Sequence, residues 1–328
     1  MKGVLLINLG SPNDLSSASI KKFLIEFLSD DYVVDFPKFF QQLLVRGVIV
    51  PFRYKNTQSA YKEVWTENGS PLIQTTKELA EKLSSEVSLP VEIGMRYQNP
   101  SIKEGLQSLV DRGCTKIKVV PLYPHYAIST TLTTKLKVDE EIENLGLDVE
   151  IEYTDTFFDS ELYIQALSSI IRENMDPKSD LLLFTYHGIP KRHLRKATQE
   201  RNYSEEYCLK SECKIKKFCY RCHVMETSRL CAKELNLDDD KWMVSFQSRV
   251  GPGWLQPFTD KVLEDLPSKG FKNISVVSPS FVSDNLETLE EVNMEGREIF
   301  LENGGKEFSY VPCLNLNKYW VNFLASIV

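Results

Sequence analysis

The chain has 328 residues, 42% of them apolar, and its 39 basic against 46 acidic side chains give a net charge of −7. This composition excludes collagen-like, low-complexity and largely disordered proteins, and the length predicts two domains, each large enough to bury a hydrophobic core. The acidic balance argues against broad nucleic-acid binding, because that needs a clustered basic surface to displace counterions from phosphates.

The amino terminus predicts a buried strand rather than a targeting segment. The apolar run 4–9 follows a charged residue, as in a secretory signal, but it is short and leads into Gly10-Ser-Pro-Asn-Asp14 instead of a small-residue cleavage site. No stretch reaches the roughly 18 uncharged apolar residues that a membrane span needs. We therefore expect a cytoplasmic protein, whose thiols stay reduced and whose clustered cysteines more often bind metal than form disulfides.

Short apolar runs alternate with amphipathic segments of helix length along the whole chain. The predicted strands are, in chain order, 4–9, 91–95, 116–122, 149–153, 181–186, 243–246, 274–277 and 308–311. The clearest predicted helices span 20–28, 75–87, 163–173 and 316–327. Because the strand runs are continuously apolar rather than alternating, they favour parallel sheets covered on both faces. The predicted fold class is α/β.

The predicted strands divide evenly about residue 155, which fits two similar doubly wound halves. The first strand leads into Asn8-Leu-Gly-Ser-Pro-Asn13, which is neither a Gly-x-Gly-x-x-Gly fingerprint nor a phosphate-binding Lys loop. A sheet of this kind without a nucleotide motif must bind something else where its strand order reverses.

The segment 35–54 is rich in large apolar side chains for its position between helices. Its pattern alone favours a core helix. The alternative is an exposed apolar lip for a greasy ligand or a membrane surface, with Lys38, Arg46 and Arg53 facing lipid headgroups.

His187 ends the predicted buried strand 181–186 and is followed by Gly188 and Pro190, which break the chain. Ligands of open α/β sheets bind beyond the carboxyl ends of the strands, so this position favours a functional imidazole. A histidine that only satisfies a buried carbonyl is the alternative, and the pattern leaves the two interpretations about evenly matched.

A second strand end, after 274–277, leads into an acidic helix. Helix capping alone explains Asp284 and Glu287, with a carboxylate in the first turn. Glu287, Glu290 and Glu291 nevertheless share one helical face, which would form a line of carboxylates leading away from a site. Carboxylates and imidazole together offer a divalent iron a temporary ligand set.

Cys208, Cys213, Cys219 and Cys222 lie within fifteen residues beside several basic side chains, and nearby cations favour thiolates. Four thiolates suit structural zinc or an iron-sulfur cluster, and the spacing matches neither the ferredoxin nor the paired-knuckle zinc pattern. Unconnected free thiols are the third interpretation. The motif 219–223 also spells a c-type haem attachment site, which is disfavoured because covalent attachment normally needs export.

Seven ordered segments carry a family resemblance. They are Leu6-Ile-Asn-Leu-Gly-Ser-Pro12, Gly69-Ser-Pro71, Gly94-Met-Arg-Tyr97, Pro121-Leu-Tyr-Pro-His-Tyr126 with Ser129-Thr-Thr131, Tyr186-His-Gly-Ile-Pro190, Phe246-Gln-Ser-Arg-Val-Gly-Pro-Gly-Trp254 and Ser283-Asp-Asn-Leu-Glu-Thr-Leu289. Together they resemble ferrochelatase, the enzyme that inserts ferrous iron into a porphyrin at the close of haem synthesis. The resemblance spans nearly the whole chain, in the family's order.

The resemblance implies two Rossmann-like, doubly wound domains with four-stranded parallel sheets, as in chelatases. The N-terminal domain would span 1–155 and take up the C-terminal helix 313–328, while 156–312 would form the second domain. A porphyrin cleft between them would bind protoporphyrin IX and Fe²⁺, which the enzyme would join to form protohaem. The choice between protoporphyrin and coproporphyrin and the oligomeric state stay open.

The resemblance also implies roles for individual residues. Catalysis falls to His187, Glu287 and Asp284, of which His187 and Glu287 would also bind the substrate iron. The implied porphyrin-binding residues are Arg53, Ser70, Arg96, Tyr97, Tyr123 and Trp254, the first two at the propionates. The segment 36–54 would form a mouth resting peripherally on the inner face of the membrane. Asn285 stands where some members have a histidine, which puts a proton relay through this position in doubt.

The four cysteines occupy an internal insertion after His187, which resembles a subgroup of ferrochelatases holding a two-iron, two-sulfur cluster in such a segment. The resemblance therefore implies a 2Fe-2S cluster on Cys208, Cys213, Cys219 and Cys222, with structural zinc as the alternative. Two rival classes stay open: another tetrapyrrole chelatase, such as a cobalt or sirohydrochlorin enzyme, and a non-catalytic haem or iron-sulfur sensor with the same fold.

Overall fold

The computed structural model describes residues 1–199 and 216–328. Eight strands in these ranges form two four-stranded, wholly parallel sheets. They are β1 (Lys2–Gly10), β2 (Val91–Tyr97), β3 (Lys116–Pro121), β4 (Glu150–Tyr153), β5 (Leu181–His187), β6 (Trp242–Gln247), β7 (Asn273–Val277) and β8 (Glu307–Val311). Every predicted strand is present, and the predicted α/β class with two four-stranded parallel sheets is confirmed.

Helices connect the strands. Before β5 they are α1 (Ser17–Leu28), α2 (Lys38–Leu44), α3 (Val50–Val64), α4 (Pro71–Val87), α5 (Ile102–Asp111), α6 (Thr133–Leu145) and α7 (Glu161–Asn174). After β5 they are α8 (Lys191–Thr198), α9 (Tyr220–Glu234), α10 (Thr259–Asp265), α11 (Gly296–Glu302) and α12 (Lys318–Ile327). Within the described ranges, three segments are π-helical, Val45–Ile49, Ile128–Leu132 and Glu287–Glu295, and two are 3-10 turns, Lys216–Phe218 and Leu266–Lys269. The sequence predicted α1, α4, α7 and α12 but none of the π-helical segments.

The two sheets have the same strand order. The first runs β2-β1-β3-β4 and the second β6-β5-β7-β8. In each sheet the first strand of the half therefore lies between the second and the third, and the order reverses between β1 and β3 and between β5 and β7. The crevice beyond the carboxyl ends at such a reversal is where open α/β sheets bind ligands.

The described residues divide into two compact units. The first contains 1–122, 128–155 and 324–328, and the second contains 123–127 and 156–323. The predicted boundary lies between residues 155 and 156, with 313–328 joined to the first domain. The structure groups only the last five of those residues with the first unit, and it groups the short segment Tyr123–Ala127 with the second.

Apolar side chains cover the sheet of each unit. In the first unit, Leu5 of β1 packs with Leu106 of α5, and both are fully buried. In the second, Leu183 of β5 and Val276 of β7 pack with Phe300 of α11. Burial of both faces explains why the strands read as continuous apolar runs.

The segment from α2 to α3 exposes large apolar side chains. Six of them are 49–80% exposed, and we call these the apolar lip: Phe36, Phe39, Phe40, Leu43, Val48 and Phe52. Gln41, Val45 and Val50 are the buried residues that anchor this segment. Among the described residues, no helix combines the length and apolarity needed to cross a membrane.

Candidate active site

His187 is the last residue of β5, at the reversal of strand order in the second sheet. β5 pairs with β6 on one side and with β7 on the other. The chain beyond β7 leads into the π-helical segment that begins with Glu287. The two strand ends that the sequence singled out therefore lie at the same edge of one sheet.

The hydrogen bonds of His187 define which of its ring nitrogens is basic. Nδ1 lies 2.7 Å from the carbonyl oxygen of Gly188. Because a carbonyl oxygen only accepts, Nδ1 carries the hydrogen, and in the neutral ring Nε2 holds the lone pair. A neutral imidazole in this tautomer accepts a proton or binds a metal ion through Nε2.

Three neighbouring elements hold the backbone around His187. Its N–H donates to Oγ of Ser280 at 3.4 Å, and its carbonyl oxygen accepts from the Tyr220 hydroxyl at 2.9 Å. The N–H of Gly188 donates to the carbonyl oxygen of Gln247 at the end of β6. A Cβ on Gly188 would lie only 2.9 Å from that same oxygen, so the close approach of the two strand ends requires glycine.

Two aromatic rings lie beside the imidazole. The rings of Trp254 and Phe281 each have their centroids 6.4 Å from that of His187. Trp254 is placed by a β-bridge to Pro190, three residues after His187. Both aromatic residues are partly exposed, which suits the binding of a flat apolar ligand next to the imidazole.

The carboxylate of Asp284 accepts three hydrogen bonds from residues near the end of the chain. Its carboxylate accepts from the Tyr310 hydroxyl at 2.6 Å, from Nδ2 of Asn315 at 2.6 Å and from the backbone N–H of Cys313 at 3.2 Å. These contacts tie the start of the acidic segment to β8 and to the chain that follows it. Asp284 is therefore placed to hold this loop in position.

The helix cap predicted near Asp284 is formed by its neighbours instead. The side chain of Asn285 accepts from the backbone N–H of Thr288, and the Thr288 hydroxyl accepts from the backbone N–H of Asn285, at 3.1 and 3.0 Å. This reciprocal pair is a capping box one residue later than the Asp284–Glu287 pair that the sequence suggested. It gives Asn285 a local role that needs no proton relay.

The acidic side chains lie on a π-helical segment, Glu287–Glu295. Such segments are rare and occur frequently at functional sites. In their wide turn residues five apart come together, and here Glu290 hydrogen-bonds to Glu295. Burial, together with the negative charges of Glu295, Glu291 and Glu287, raises the pKa of Glu290 to about 7. At neutral pH this carboxyl is thus poised between its protonated and ionised forms.

Glu291 is fixed by a residue that sequence reasoning did not identify. Ser248, directly after β6, donates its backbone N–H to Oε1 of Glu291 at 2.7 Å and its hydroxyl to Oε2. Ser248 has a φ of +61°, a left-handed conformation unusual for a residue with a side chain. Such outliers cluster at functional sites, although no local sequence signal marks this one.

In the first unit, Arg96 and Tyr97 at the end of β2 converge on Asp30. Arg96 donates through Nη2 to Asp30, and the Tyr97 hydroxyl donates to the same carboxylate at 3.0 Å. Thr133 also donates to Asp30, at 2.5 Å, and accepts from Nε of Arg96 at 3.0 Å. Asp30 is only 4% exposed, and a buried carboxylate needs a nearby opposite charge, which the guanidinium of Arg96 supplies. Arg96 and Tyr97 were predicted from the sequence, but Asp30 was not.

The other predicted porphyrin contacts lie in different settings. Ser70 precedes α4 and lines a cleft of about 360 Å³ together with Trp65, Gln74 and Lys77. Arg53 is exposed on α3, next to Phe52 of the apolar lip.

Tyr123 is buried and belongs to the second unit. Tyr97, Ser70 and Tyr123 are thus the three buried residues among the predicted contacts, with exposures of 0%, 6% and 9%. Their assignment to a porphyrin pocket stays a prediction.

Two of the four clustered cysteines can be described. Cys219 precedes α9 as its N-cap and Cys222 lies in the first turn, and both are buried. Cys208 and Cys213 lie outside the described residues. Within 1–199 and 216–328, no group of three or more His, Cys, Asp or Glu side chains is arranged to hold a metal ion.

His223 completes the apparent haem-attachment motif, but its ring is engaged elsewhere. Nδ1 accepts from the backbone N–H of Tyr126 at 3.0 Å, and the ring stacks on Phe158 with centroids 3.7 Å apart. These two contacts hold the His223 ring within the second unit.

Comparison with known proteins gives a match over the full chain. The family model described as ferrochelatase matches residues 1–328. A ferrochelatase from Opitutus terrae is 40% identical over 333 residues, covering 100% of this chain and 96% of the relative. One from Vibrio parahaemolyticus is 37% identical over 330 residues, covering 100% and 97%.

Among solved structures, SirB from Bacillus subtilis with Fe³⁺ is similar in fold. The TM-score is 0.58 at 13% identity, with 99% of this chain and 93% of SirB covered. A second structure, the sirohydrochlorin chelatase SirB of the subspecies spizizenii in complex with cobalt, gives a TM-score of 0.56 at 13% identity and covers 100% and 93%. At this level of identity the likeness concerns the fold alone.

Proposed function

The chain belongs to the ferrochelatase family, whose activity is iron insertion into protoporphyrin for haem synthesis, and we propose that His187 is the group that accepts a pyrrole proton during this reaction. The observation that supports this role is the tautomer of its ring. Nδ1–H is bonded to the Gly188 carbonyl, so the basic Nε2 is the nitrogen available for a substrate proton.

The chemistry explains why such a base is needed. A free-base porphyrin is nearly flat, and two pyrrole N–H protons occupy the space that Fe²⁺ must enter. Insertion releases both protons and leaves the oxidation state of the iron unchanged, so neither a nucleotide nor an electron donor is consumed. A site that binds the bent macrocycle better than the flat one lowers the barrier by differential binding. Trp254 and Phe281 supply aromatic surfaces beside the base.

We assign the acidic segment to the transfer of protons or iron. Glu287 begins the π-helical segment, and Glu290, with its pKa raised to about 7, exchanges protons readily near neutral pH. Glu291 is held in one orientation by Ser248. Carboxylates and imidazole are also suitable transient ligands for Fe²⁺, and we keep His187 and Glu287 as the proposed ligands of the substrate iron. Asp284 holds the start of this segment in place through its hydrogen bonds to Tyr310 and Asn315.

For porphyrin binding we propose that Arg53 and Ser70 contact the propionates and that Arg96, Tyr97, Tyr123 and Trp254 line the pocket. The proposed role of Ser70 is supported by the cleft that it lines, because the cation Lys77 lines the same cleft. The guanidinium of Arg96 is paired with Asp30. Its proposed contribution is therefore a rigid pocket wall rather than a free charge for a propionate.

The test is anaerobic incubation of the purified protein with Fe²⁺ and protoporphyrin IX, followed by haem absorbance and loss of porphyrin fluorescence. Parallel reactions use coproporphyrin and sirohydrochlorin. We expect protohaem formation, with sirohydrochlorin a poor substrate because the site beside His187 is aromatic. Efficient use of sirohydrochlorin would favour the rival chelatase class, and tight haem binding without turnover would favour a sensor.

We further propose that the cysteine segment binds a 2Fe-2S cluster through Cys208, Cys213, Cys219 and Cys222. The two described cysteines fit this: both are buried, and they sit at the N-terminus of α9, whose dipole favours negatively charged thiolates. When bound, such a cluster would cross-link the segment to α9, which suits a role in stability or sensing.

Absorption spectra and metal analysis test the cluster. A 2Fe-2S protein is coloured and bleaches on reduction with dithionite. Cys219→Ser should remove the colour, whereas Cys231→Ser should keep it, because Cys231 lies on the same helix but contacts Ser168 instead. A colourless protein with stoichiometric zinc would establish the structural zinc site instead. A protein that contains neither iron nor zinc would show that the four cysteines are unconnected thiols.

We also propose that the apolar lip rests on the inner face of the cytoplasmic membrane. Its six exposed apolar side chains are accompanied by Lys38, Arg46 and Arg53, the combination that favours an anionic lipid surface. Cosedimentation with phosphatidylcholine vesicles, with and without phosphatidylglycerol, tests this. Phe39→Ser with Phe52→Ser should abolish binding, whereas Leu136→Ser, an exposed apolar residue on α6, should not. Equal sedimentation of all variants would disprove the lip as the contact.

A further inference from the structure

Tyr220 contacts the backbone of the proposed catalytic histidine. It is the first residue of α9, is 4% exposed, and donates its hydroxyl to the His187 carbonyl oxygen at 2.9 Å. Because a carbonyl oxygen can only accept, the Tyr220 hydroxyl is the donor in this bond.

The hydroxyl belongs to a closed set of three hydrogen-bonding groups. Ser280 also hydrogen-bonds to the Tyr220 hydroxyl, and Oγ of Ser280 accepts from the His187 backbone N–H at 3.4 Å. Both polar groups of the His187 main chain are therefore engaged by this pair. Tyr220 comes from α9 and Ser280 from the loop after β7, so the set joins two elements to the end of β5.

The orientation of the imidazole depends on this main chain. Nδ1 donates to the carbonyl oxygen of the next residue, Gly188, which belongs to the 188–189 peptide. That peptide is joined through the Cα of Gly188 to the 187–188 peptide, whose carbonyl accepts from Tyr220. A rotation of the 187–188 peptide therefore displaces both the Cα that carries the ring and the oxygen that holds Nδ1. Proton transfer needs the acceptor within hydrogen-bond reach of the donor, and a displacement of about 1 Å can cost around a hundredfold in rate.

We infer that Tyr220 is a positioning residue for His187, acting through the His187 carbonyl to aim Nε2 at the substrate. The inference rests on the proposed role of His187. It also makes the start of α9 part of the reaction machinery. Tyr220 lies between Cys219 and Cys222, so any group bound by those thiols acts on the same helical turn.

Tyr220→Phe tests the inference, and Tyr186→Phe is its matched control. Tyr186 is also buried and joins β5 to α9, but its hydroxyl contacts Ser228 at 2.7 Å rather than His187. Each variant thus removes one buried phenol hydroxyl from the same interface, and similar losses in Tm are expected. Only Tyr220→Phe should lower kcat, by about tenfold, with KM for protoporphyrin changed less than about twofold.

A spectroscopic measurement separates positioning from stability. The ¹⁵N resonances of the His187 ring, identified by their absence in His187→Ala, report the tautomer directly. We expect them to show Nδ1–H in the wild type and in Tyr186→Phe, and to shift in Tyr220→Phe. If Tyr220→Phe fails to fold, Ser280→Ala, which removes another member of the same set, should show the same change in kcat and in the resonances.

The outcomes are distinguishable. Unchanged kcat and resonances in Tyr220→Phe, or an equal fall of kcat in Tyr186→Phe, would overturn the inference while leaving the role of His187 intact. Full turnover by His187→Ala would instead overturn the proposed function of the imidazole itself.

Discussion

β1 and β5 occupy the same place in two sheets of identical strand order, and each is flanked by the second and third strands of its half. β5 ends in His187, with an imidazole at the reversal of strand order. β1 ends in Gly10, which has a φ of +104° and no room for a side chain, because a Cβ there would lie 2.0 Å from the Tyr97 carbonyl oxygen. The same topology thus provides two equivalent positions, and only one carries a reactive group.

The charged residues near the strand ends differ in the same way. In the first sheet Arg96 and Asp30 neutralise each other within a buried network. In the second, carboxylates accumulate along the π-helical segment until burial and mutual repulsion raise the pKa of Glu290. Substitutions in the first sheet should therefore affect mainly stability, whereas substitutions in the second should affect chemistry.

The largest expected effect is that of His187→Ala. Loss of a general base typically costs about 10²- to 10⁴-fold, so we expect iron insertion to fall below detection in a routine assay. Porphyrin binding, followed by fluorescence quenching, should change little because the aromatic neighbours remain. Turnover within tenfold of the wild type would contradict the assignment.

Gly10→Ala probes the equivalent position in the first sheet. The added Cβ collides with a backbone oxygen and demands a left-handed conformation, so we expect a loss of about 3 kcal/mol or more in the free energy of unfolding. Urea titration measures this. Gly113→Ala is the control, since Gly113 also has a positive φ, +82°, but no atom within 4 Å of an added Cβ. If both variants lose equal stability, φ alone, not the close approach to β2, explains glycine at the end of β1.

The strands of both sheets and the position of His187 could be predicted from the sequence. Continuous apolar runs predicted all eight strands, because strands buried on both faces have no polar side, and they placed His187 at a strand end. Their boundaries were the least accurate part. β1, for example, begins at Lys2 rather than at residue 4, since backbone pairing extends beyond the apolar run.

The sequence could not reveal contacts between distant residues. Asp30 and Arg96 are 66 positions apart, and Ser248 and Glu291 are 43 apart, so no local period links them. The π-helical segment was equally hidden, because its acidic residues also fit an α-helical face. The choice of Asn285 and Thr288 over Asp284 and Glu287 as the cap is likewise decided by tertiary contacts.

Asp30→Asn tests whether the first sheet depends on its charge network. The amide leaves the largely buried guanidinium of Arg96 without its counter-charge, and we expect a loss of about 2 to 4 kcal/mol in the free energy of unfolding. The adjacent Asp31→Asn is a matched control, because Asp31 pairs with Lys38 at the surface with both side chains more than half exposed. That variant should lose less than about 0.5 kcal/mol. Similar losses in both would show that the network around Asp30 adds no stability beyond a surface pair.

The smallest expected effect on stability belongs to Glu290→Gln, and its size depends on pH. The pKa of Glu290 is about 7 in the folded chain against an ordinary value near 4.5. Between these values the folded state therefore binds more protons than the unfolded state. Folding stability from this group accordingly falls as pH rises from 4.5 to 7, and above 7 the penalty is complete.

Removing the carboxylate should therefore raise stability at pH 8 and leave it nearly unchanged at pH 4.5. Because the side chain is partly exposed, solvent screening limits the gain to less than about 1 kcal/mol, or about 2 °C in Tm. Scanning calorimetry at both pH values measures the difference, with the exposed Glu302→Gln as control. An equal shift in Tm at both pH values would mean that the amide improves local packing. Repulsion among the carboxylates at this edge of the second sheet would then not be the cause of the lower stability.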